Sequence, residues 1–153
     1  MRRCCIIYGN AFFIVYMDFK MTTRTFATAV NCIDGRIQIP VIDFIRSKTG
    51  VDYVDIITEA GAVKLLATNE NSSSLQSIKG RIGVSIEKHL SGNIWVAAHH
   101  DCVVNNVDDT VQIKQALEAV ELIRKWFPQV NVSGLWVDKD AKVLEIRKGT
   151  PRI

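Results

Sequence analysis

Residues 94–98 read Ile-Trp-Val-Ala-Ala, apolar at every position. Successive side chains of a strand point to opposite faces of its sheet, so a surface strand alternates between apolar and polar. A strand with no polar face has to be covered on both sides, which is the usual state of a central strand in a parallel sheet flanked by helices.

The rest of the chain supplies the alternation of strands and helices that such a sheet needs. Residues 24–31 (RTFATAVN) are β-branched and apolar and stop at Cys32, which reads as a buried strand. Pro40 stands where a helix can begin, because the first turn tolerates proline. Val41, Ile42, Phe44 and Ile45 give that helix an apolar face, and Gly50 ends it. Residues 51–57 form a second strand, Ala60-Gly61 a turn, and residues 69–74 (NENSSS) a polar loop offering a serine cap. Leu75, Ile78, Ile82, Ile86 and Leu90 recur at helical spacing, with Gly80 and Gly83 weakening the helix or allowing close packing. A turn at Ser91-Gly92-Asn93 precedes the apolar third strand. Asp108 and Asp109 suit a helix N-terminus. Its apolar face is Ile113, Ala116, Leu117, Val120, Ile123 and Phe127, and Pro128 stops it. Residues 130–137 are a fourth strand, Asp138-Lys139-Asp140 a turn, and residues 142–146 an antiparallel edge strand. The expected fold is α/β: a mostly parallel four-stranded sheet of order 2-1-3-4, helices on both faces, and the added edge strand.

A chain of 153 residues, 48% apolar, suits one domain with one core. That domain is expected over residues 21–153, with residues 1–20 as an N-terminal extension or arm. The first twenty residues carry two arginines and an apolar stretch, but Gly9 and Asn10 interrupt it and no small-x-small cleavage site follows. Three readings stand, in this order: an upstream extension with Met17 or Met21 as the start, an arm on a neighbouring subunit, and a weak export signal. The apolar run is too short for a stable membrane span. The net charge of +3 and the lack of a basic stripe interleaved with aromatics leave nucleic acid without support. Four cysteines in a chain with room for a core point to thiols in a reducing compartment, hence the cytoplasm, with Cys4 and Cys5 as bystanders.

Two short stretches carry chemistry. Cys32-Ile33-Asp34-Gly35-Arg36 follows the first strand. In extended chain Cys32 and Asp34 share a face, and a bend at Gly35 brings Arg36 round to hold the carboxylate in a bidentate pair. His99-His100-Asp101-Cys102 follows the third strand, and a turn puts His99 and Cys102 on one side. Imidazole and thiolate suit zinc by softness and geometry. In a 2-1-3-4 sheet the strands before these stretches are neighbours whose chains leave in opposite directions, so the stretches meet at the switch point.

C-x-D-x-R followed at a distance by H-x-x-C resembles the signature of β-class carbonic anhydrases, and Ala60-Gly61 resembles that family's Arg-Asn-Ala-Gly turn. The resemblance covers roughly residues 27–146. It implies Cys32, His99 and Cys102 as zinc ligands and Asp34 and Arg36 as the catalytic dyad. It also implies reversible hydration of carbon dioxide to bicarbonate by water activated at zinc, and a homodimer or higher homo-oligomer. The chain departs from the pattern at Gly35 (usually Ser), Val103 (usually Gly), Thr58-Glu59 (usually Arg-Asn) and His100 (usually a small hydroxyl residue). Three alternatives are a related zinc hydrolase of carbonyl sulfide or carbon disulfide, a non-catalytic zinc-binding domain, and a thiol-redox protein using Cys32 and Cys102. His89 or His100 as proton shuttle competes with a solvated surface role. Asp101 either orients His99 or caps the turn, and Trp95, Trp126 and Trp136 read as core or interface aromatics.

Overall fold

A computed structural model of the chain describes residues 6–8, 11–13 and 24–149. Strands β1 (Ile6–Tyr8) and β2 (Ala11–Phe13) pair antiparallel with each other. The rest of the expected extension lies outside the described residues. The main sheet comprises β3 (Phe26–Asn31), β4 (Tyr53–Thr58), β5 (Asn93–His99), β6 (Asn131–Val137) and β7 (Val143–Ile146). Its order is β4-β3-β5-β6-β7, parallel except for the last pair. This is the expected 2-1-3-4 order with the antiparallel strand at the edge.

The helices are α1 (Gly35–Thr49), α2 (Ala62–Thr68), α3 (Ser73–His89) and α4 (Asp109–Trp126). Alternation along the strands sorts the core into two layers. Trp95, Ala97, Ala27 and Ala29 pack with Ile37, Val41 and Ile45 of α1, where the alanines let that helix approach the sheet. Ile94, Val96, Ala98 and Val30 face the other way, onto α2, α3 and α4. That second face also buries polar groups. Thr28 bonds the hydroxyls of Ser85 and Ser91, Ser85 donates to Asp55, and His89 pairs with Asp55 at 2.7 Å. His89 is therefore tied down, and its ring stacks on Phe26. Trp95 and Trp136 are buried in the two layers, while Trp126 is half-buried under Lys79.

Helix α1 does not begin at Pro40. Asp34 caps it, its side chain accepting from the Arg36 N–H at 2.9 Å, and the proline falls inside the helix. A capping carboxylate satisfies an otherwise orphaned N–H. Arg46 and Lys48 in the last turn complement the helix dipole, and Gly50 closes it in the left-handed conformation. The short helix α2 follows the Ala60-Gly61 turn where no helix was expected, and Ser72 caps α3 through the Leu75 N–H.

Two glycines set opposite expectations. Gly134 lies in β6 opposite Ile146, and a Cβ there would stand 2.9 Å from the buried Ile146 Cγ1. Gly134→Ala should lower stability by about 1–3 kcal/mol. Gly80, exposed within α3 with nothing near its Cα, should gain about 0.5–1 kcal/mol on Gly80→Ala. Urea denaturation midpoints check both signs.

Candidate metal centre

The site grows from the pairing of β3 with β5. The strands run parallel with Asn31 level with Ala97, so both end at one edge of the sheet. Beyond β3 the chain turns into α1 on one face. Beyond β5 it passes through a single 3-10 turn, Val103–Asn105, into α4 on the other. A crevice opens where neighbouring strands send their connections apart.

Cys32 is the first residue after β3 and His99 the last of β5. Between His99 and Cys102 the chain reverses tightly. The His100 N–H donates to the Val137 carbonyl at 2.9 Å, and Asp101 takes the left-handed conformation with φ 54°. Aspartate tolerates that conformation better than most residues. The structure thus brings together Cys32, His99 and Cys102, all buried, with one sulfur or nitrogen of each within 4.8 Å of the others. The two sulfurs are 3.8 Å apart and both thiols are free.

The donor set fits a zinc ion. Two sulfurs bound at about 2.3 Å to one tetrahedral zinc stand about 3.8 Å apart, which is the separation found. The Nδ1 of His99 faces the His100 carbonyl at 2.8 Å, and a carbonyl can only accept, so Nδ1 carries a proton. Its Nε2 is buried with no hydrogen-bond partner and faces the sulfurs. A buried unpartnered ring nitrogen is costly, and a cation among these donors removes that cost.

Burial raises the pKa of the Cys32 thiol, but His99 and the N–H groups of Gly61 and Asp34 outweigh it and bring it down to about 6. Cys102 is raised, by burial first and then by the charge on Cys32, against the N–H groups of Asn105 and Val104. Burial lowers the pKa of His99, yet the Cys32 sulfur and the His100 carbonyl carry it above its ordinary value. Two backbone N–H groups thus bear on the acidity of each thiol. Gly61 supplies one from a left-handed position (φ 63°) packed against Val104, where a Cβ would come within 3.2 Å of the valine. The Ala60-Gly61 turn thus serves the site through its backbone, while the Glu59 side chain accepts from the Ala60 N–H.

Asp34 and Arg36 sit at the rim. Arg36 donates through Nε to both carboxylate oxygens (3.0 and 3.1 Å) and through Nη2 to Oδ2 at 2.7 Å. Its hydrogen bonds hold the Asp34 pKa down at about 2. Arg36 also donates to the Asp101 carbonyl at 3.2 Å and approaches its carboxylate at 3.6 Å, tying the loop after β3 to the loop after β5. Asp101 therefore faces Arg36, and it is the His100 carbonyl that orients His99. His100 instead pairs with Asp109 at 3.0 Å. Sequence reasoning missed Gln38 and read Gly61 only as part of a turn. The Gln38 amide donates to the carbonyls of Cys32 and Asp34, and nothing in the local spelling marks it.

The sequence model of a protein family described as "Putative carbonic anhydrase" matches residues 22–147. No curated protein matches the chain. Among solved structures it is similar to a β-carbonic anhydrase from Trichomonas vaginalis, at 18% identity and a TM-score of 0.55, covering 81% of this chain and 82% of that one. It is similar to a mutant form of the β-carbonic anhydrase CafD of Aspergillus fumigatus, at 14% identity and TM-score 0.53, covering 85% and 94%. The apo form of a carbon disulfide hydrolase is similar at 14% identity and TM-score 0.52, covering 82% and 83%. These likenesses establish a shared fold.

One zinc ion per chain is the expected stoichiometry by metal analysis. Cys32→Ser, His99→Ala and Cys102→Ser should each weaken zinc binding by more than about 100-fold in competition with a chromogenic chelator, beyond the loss typical of an outer-shell change. Protons compete for the same atoms. Affinity should therefore fall with acidity by about tenfold per pH unit for each protonated donor, more steeply once the pH drops through the Cys32 value of about 6.

Proposed function

The chain belongs to the carbonic anhydrase family matched above, and from that membership we propose that it binds zinc through Cys32, His99 and Cys102 and reversibly hydrates carbon dioxide to bicarbonate. The observation that carries the reading is the donor geometry: two sulfurs 3.8 Å apart and an unpartnered imidazole nitrogen turned toward them. With three protein donors, a zinc ion held here would keep a place for water, as catalytic zinc sites require. Zinc there would supply a water whose pKa falls from about 15.7 toward about 7. Thiolates donate charge strongly and blunt that effect. The N–H groups of Gly61, Asp34, Asn105 and Val104 draw charge back from the sulfurs.

Asp34 acts beside the metal. Two oxygens offer about four acceptor sites. The backbone N–H, Nε and Nη2 of Arg36 take most of them, with Nε shared. The remaining lone pair would accept a hydrogen bond from a hydroxyl held beside the donor cluster and so orient it toward the substrate carbon. Arg36 keeps Asp34 ionised down to about pH 2 and, by occupying both its oxygens, would hold it away from a bound metal. The departures at Thr58-Glu59 and Val103 lie beside the same crevice and favour, as second readings, hydrolysis of another small linear molecule or a zinc site without turnover.

Apolar side chains stand exposed beside both ligand loops, with Ile33 60% and Val103 83% accessible. We assign this surface to a second copy of the chain, giving a homodimer. The two buried free thiols fit a reducing compartment, which we take to be the cytoplasm. Among the described residues no helix is long and apolar enough to cross a membrane.

Stopped-flow hydration of carbon dioxide by the zinc-loaded protein tests the activity. Asp34→Ala should lower kcat by about 100-fold and leave zinc content at one per chain. Stoichiometric zinc with hydration at the buffer rate defeats the hydration claim, and turnover of carbon disulfide or carbonyl sulfide by the same sample then selects the hydrolase. Sedimentation should give a dimer, with Val103→Asp shifting it to monomer; a wild-type monomer at micromolar concentration removes the dimer.

A further inference from the structure

Cys32, Ile33 and Asp34 lie between the end of β3 and the start of α1, beyond the sheet's ladder, and the helix backbone reaches their carbonyls only through the Ile37 N–H, which donates to the Asp34 carbonyl at 3.4 Å. A segment of this kind takes its position from whatever satisfies its carbonyls. Two amide side chains do so. Gln38, one turn into α1, reaches back toward the helix N-terminus, the direction helical side chains lean. Its Nε2 donates to the carbonyl of Cys32 at 2.8 Å and to that of Asp34 at 2.6 Å. Asn31, fully buried at the end of β3, donates through Nδ2 to the same Cys32 carbonyl at 2.9 Å and to Gln38 Oε1 at 2.9 Å. The three groups close a triangle. Both Nε2 hydrogens of Gln38 are used, one on each carbonyl. Each amide nitrogen faces only acceptors, which fixes the orientation of both amides.

We propose that Gln38 is a positioning residue of the metal centre: braced by Asn31, it sets the backbone from which Cys32 aims its sulfur and Asp34 its carboxylate. It acts through two carbonyls and touches neither reacting atoms nor metal. One clamp therefore serves both functions of the loop, a ligand at one end and the dyad acid at the other, across a two-residue span. A slack of a few tenths of an ångström there moves both groups together, and site geometry tolerates little of it. The part of this inference that concerns turnover rests on the hydration reading above; the part that concerns metal binding does not.

The test uses the full chain loaded with cobalt(II), whose thiolate-to-metal charge-transfer and d–d bands report ligand geometry. Gln38→Met and the isosteric Gln38→Glu both remove the two donors. Each variant, with a cooperative thermal transition confirming its fold, should bind cobalt about tenfold more weakly and show displaced d–d bands. Zinc-loaded, each should lose about tenfold in kcat with little change in KM. In an Asp34→Ala background the kcat loss should shrink below about twofold, because no carboxylate remains to be misaimed, while the cobalt loss persists. A general loss of structure gives no such split. Wild-type cobalt affinity and spectrum in both variants overturn the proposal, as does a kcat loss undiminished in the Asp34→Ala background. If both variants at residue 38 fail to fold, Asn31→Ser cuts the triangle from its other side and must reproduce the cobalt effect for the proposal to stand. A wild-type chain that binds cobalt but hydrates no carbon dioxide defeats the hydration reading alone, and the cobalt measurements still judge Gln38.

Discussion

The parallel pairing of β3 with β5 is the constraint on which the rest of the molecule depends. It sets Asn31 level with Ala97, so Cys32, one residue further on, and His99, two further on, emerge from the same edge within reach of each other. It also determines where the connections go: α1 crosses one face, while α2, α3 and α4 cross the other. Had β4 separated these two strands, the sulfur and the imidazole would have stood one further strand apart, about 4.8 Å more. No side-chain rearrangement would then close the cluster. The apolar core is in this sense the support of the site. Small residues on β3 and β5 admit α1 close to the sheet, and α1 delivers Asp34, Arg36 and Gln38 to the edge where the donors meet.

Arg36 shows how few groups the rim needs. It is exposed, and a surface ion pair usually contributes little to stability. Its value here lies in direction. One guanidinium holds both oxygens of Asp34 and reaches across to Asp101, so the loop after β3 and the loop after β5 are linked outside the core as well as inside it. Asp34 in turn starts the helix that carries its own partner. Its carboxylate thus has a part in secondary structure, in joining the loops and, in the proposed reaction, in chemistry.

Much of this was legible in the residue pattern because it follows from periodicity. Unbroken apolar runs marked the buried strands, and helical spacing marked α3 and α4. Residue types at two strand ends marked Cys32, His99 and Cys102, and the structure brings those three together. What escaped was decided by single contacts. Pro40 looked like a helix start, but Asp34 offers a cap six residues earlier, and the helix carries the proline within it. Helix α2 is too short to show a period. Asp101 was free to face His99 or the turn, and neither spacing nor composition reveals that Arg36 takes it. Gln38 acts on backbone carbonyls that every residue possesses, so no sequence pattern distinguishes it, and Gly61 shows in the sequence only as part of a turn.

The separation of the two sulfurs bears on which ions the centre can hold. The Cys32 carbonyl is anchored by the amides of Asn31 and Gln38, and Arg36 ties the loop after β3 to the Asp101 carbonyl in the loop after β5. A gap of 3.8 Å between the two sulfurs therefore acts as a gauge. An ion with longer bonds to sulfur must push the two loops apart against the sheet that holds them, and one that favours a square-planar arrangement must turn the imidazole off its carbonyl. Raw affinity among divalent metals does not follow size alone. Rigidity of this kind lets a fold sort cations by their radius and preferred angles.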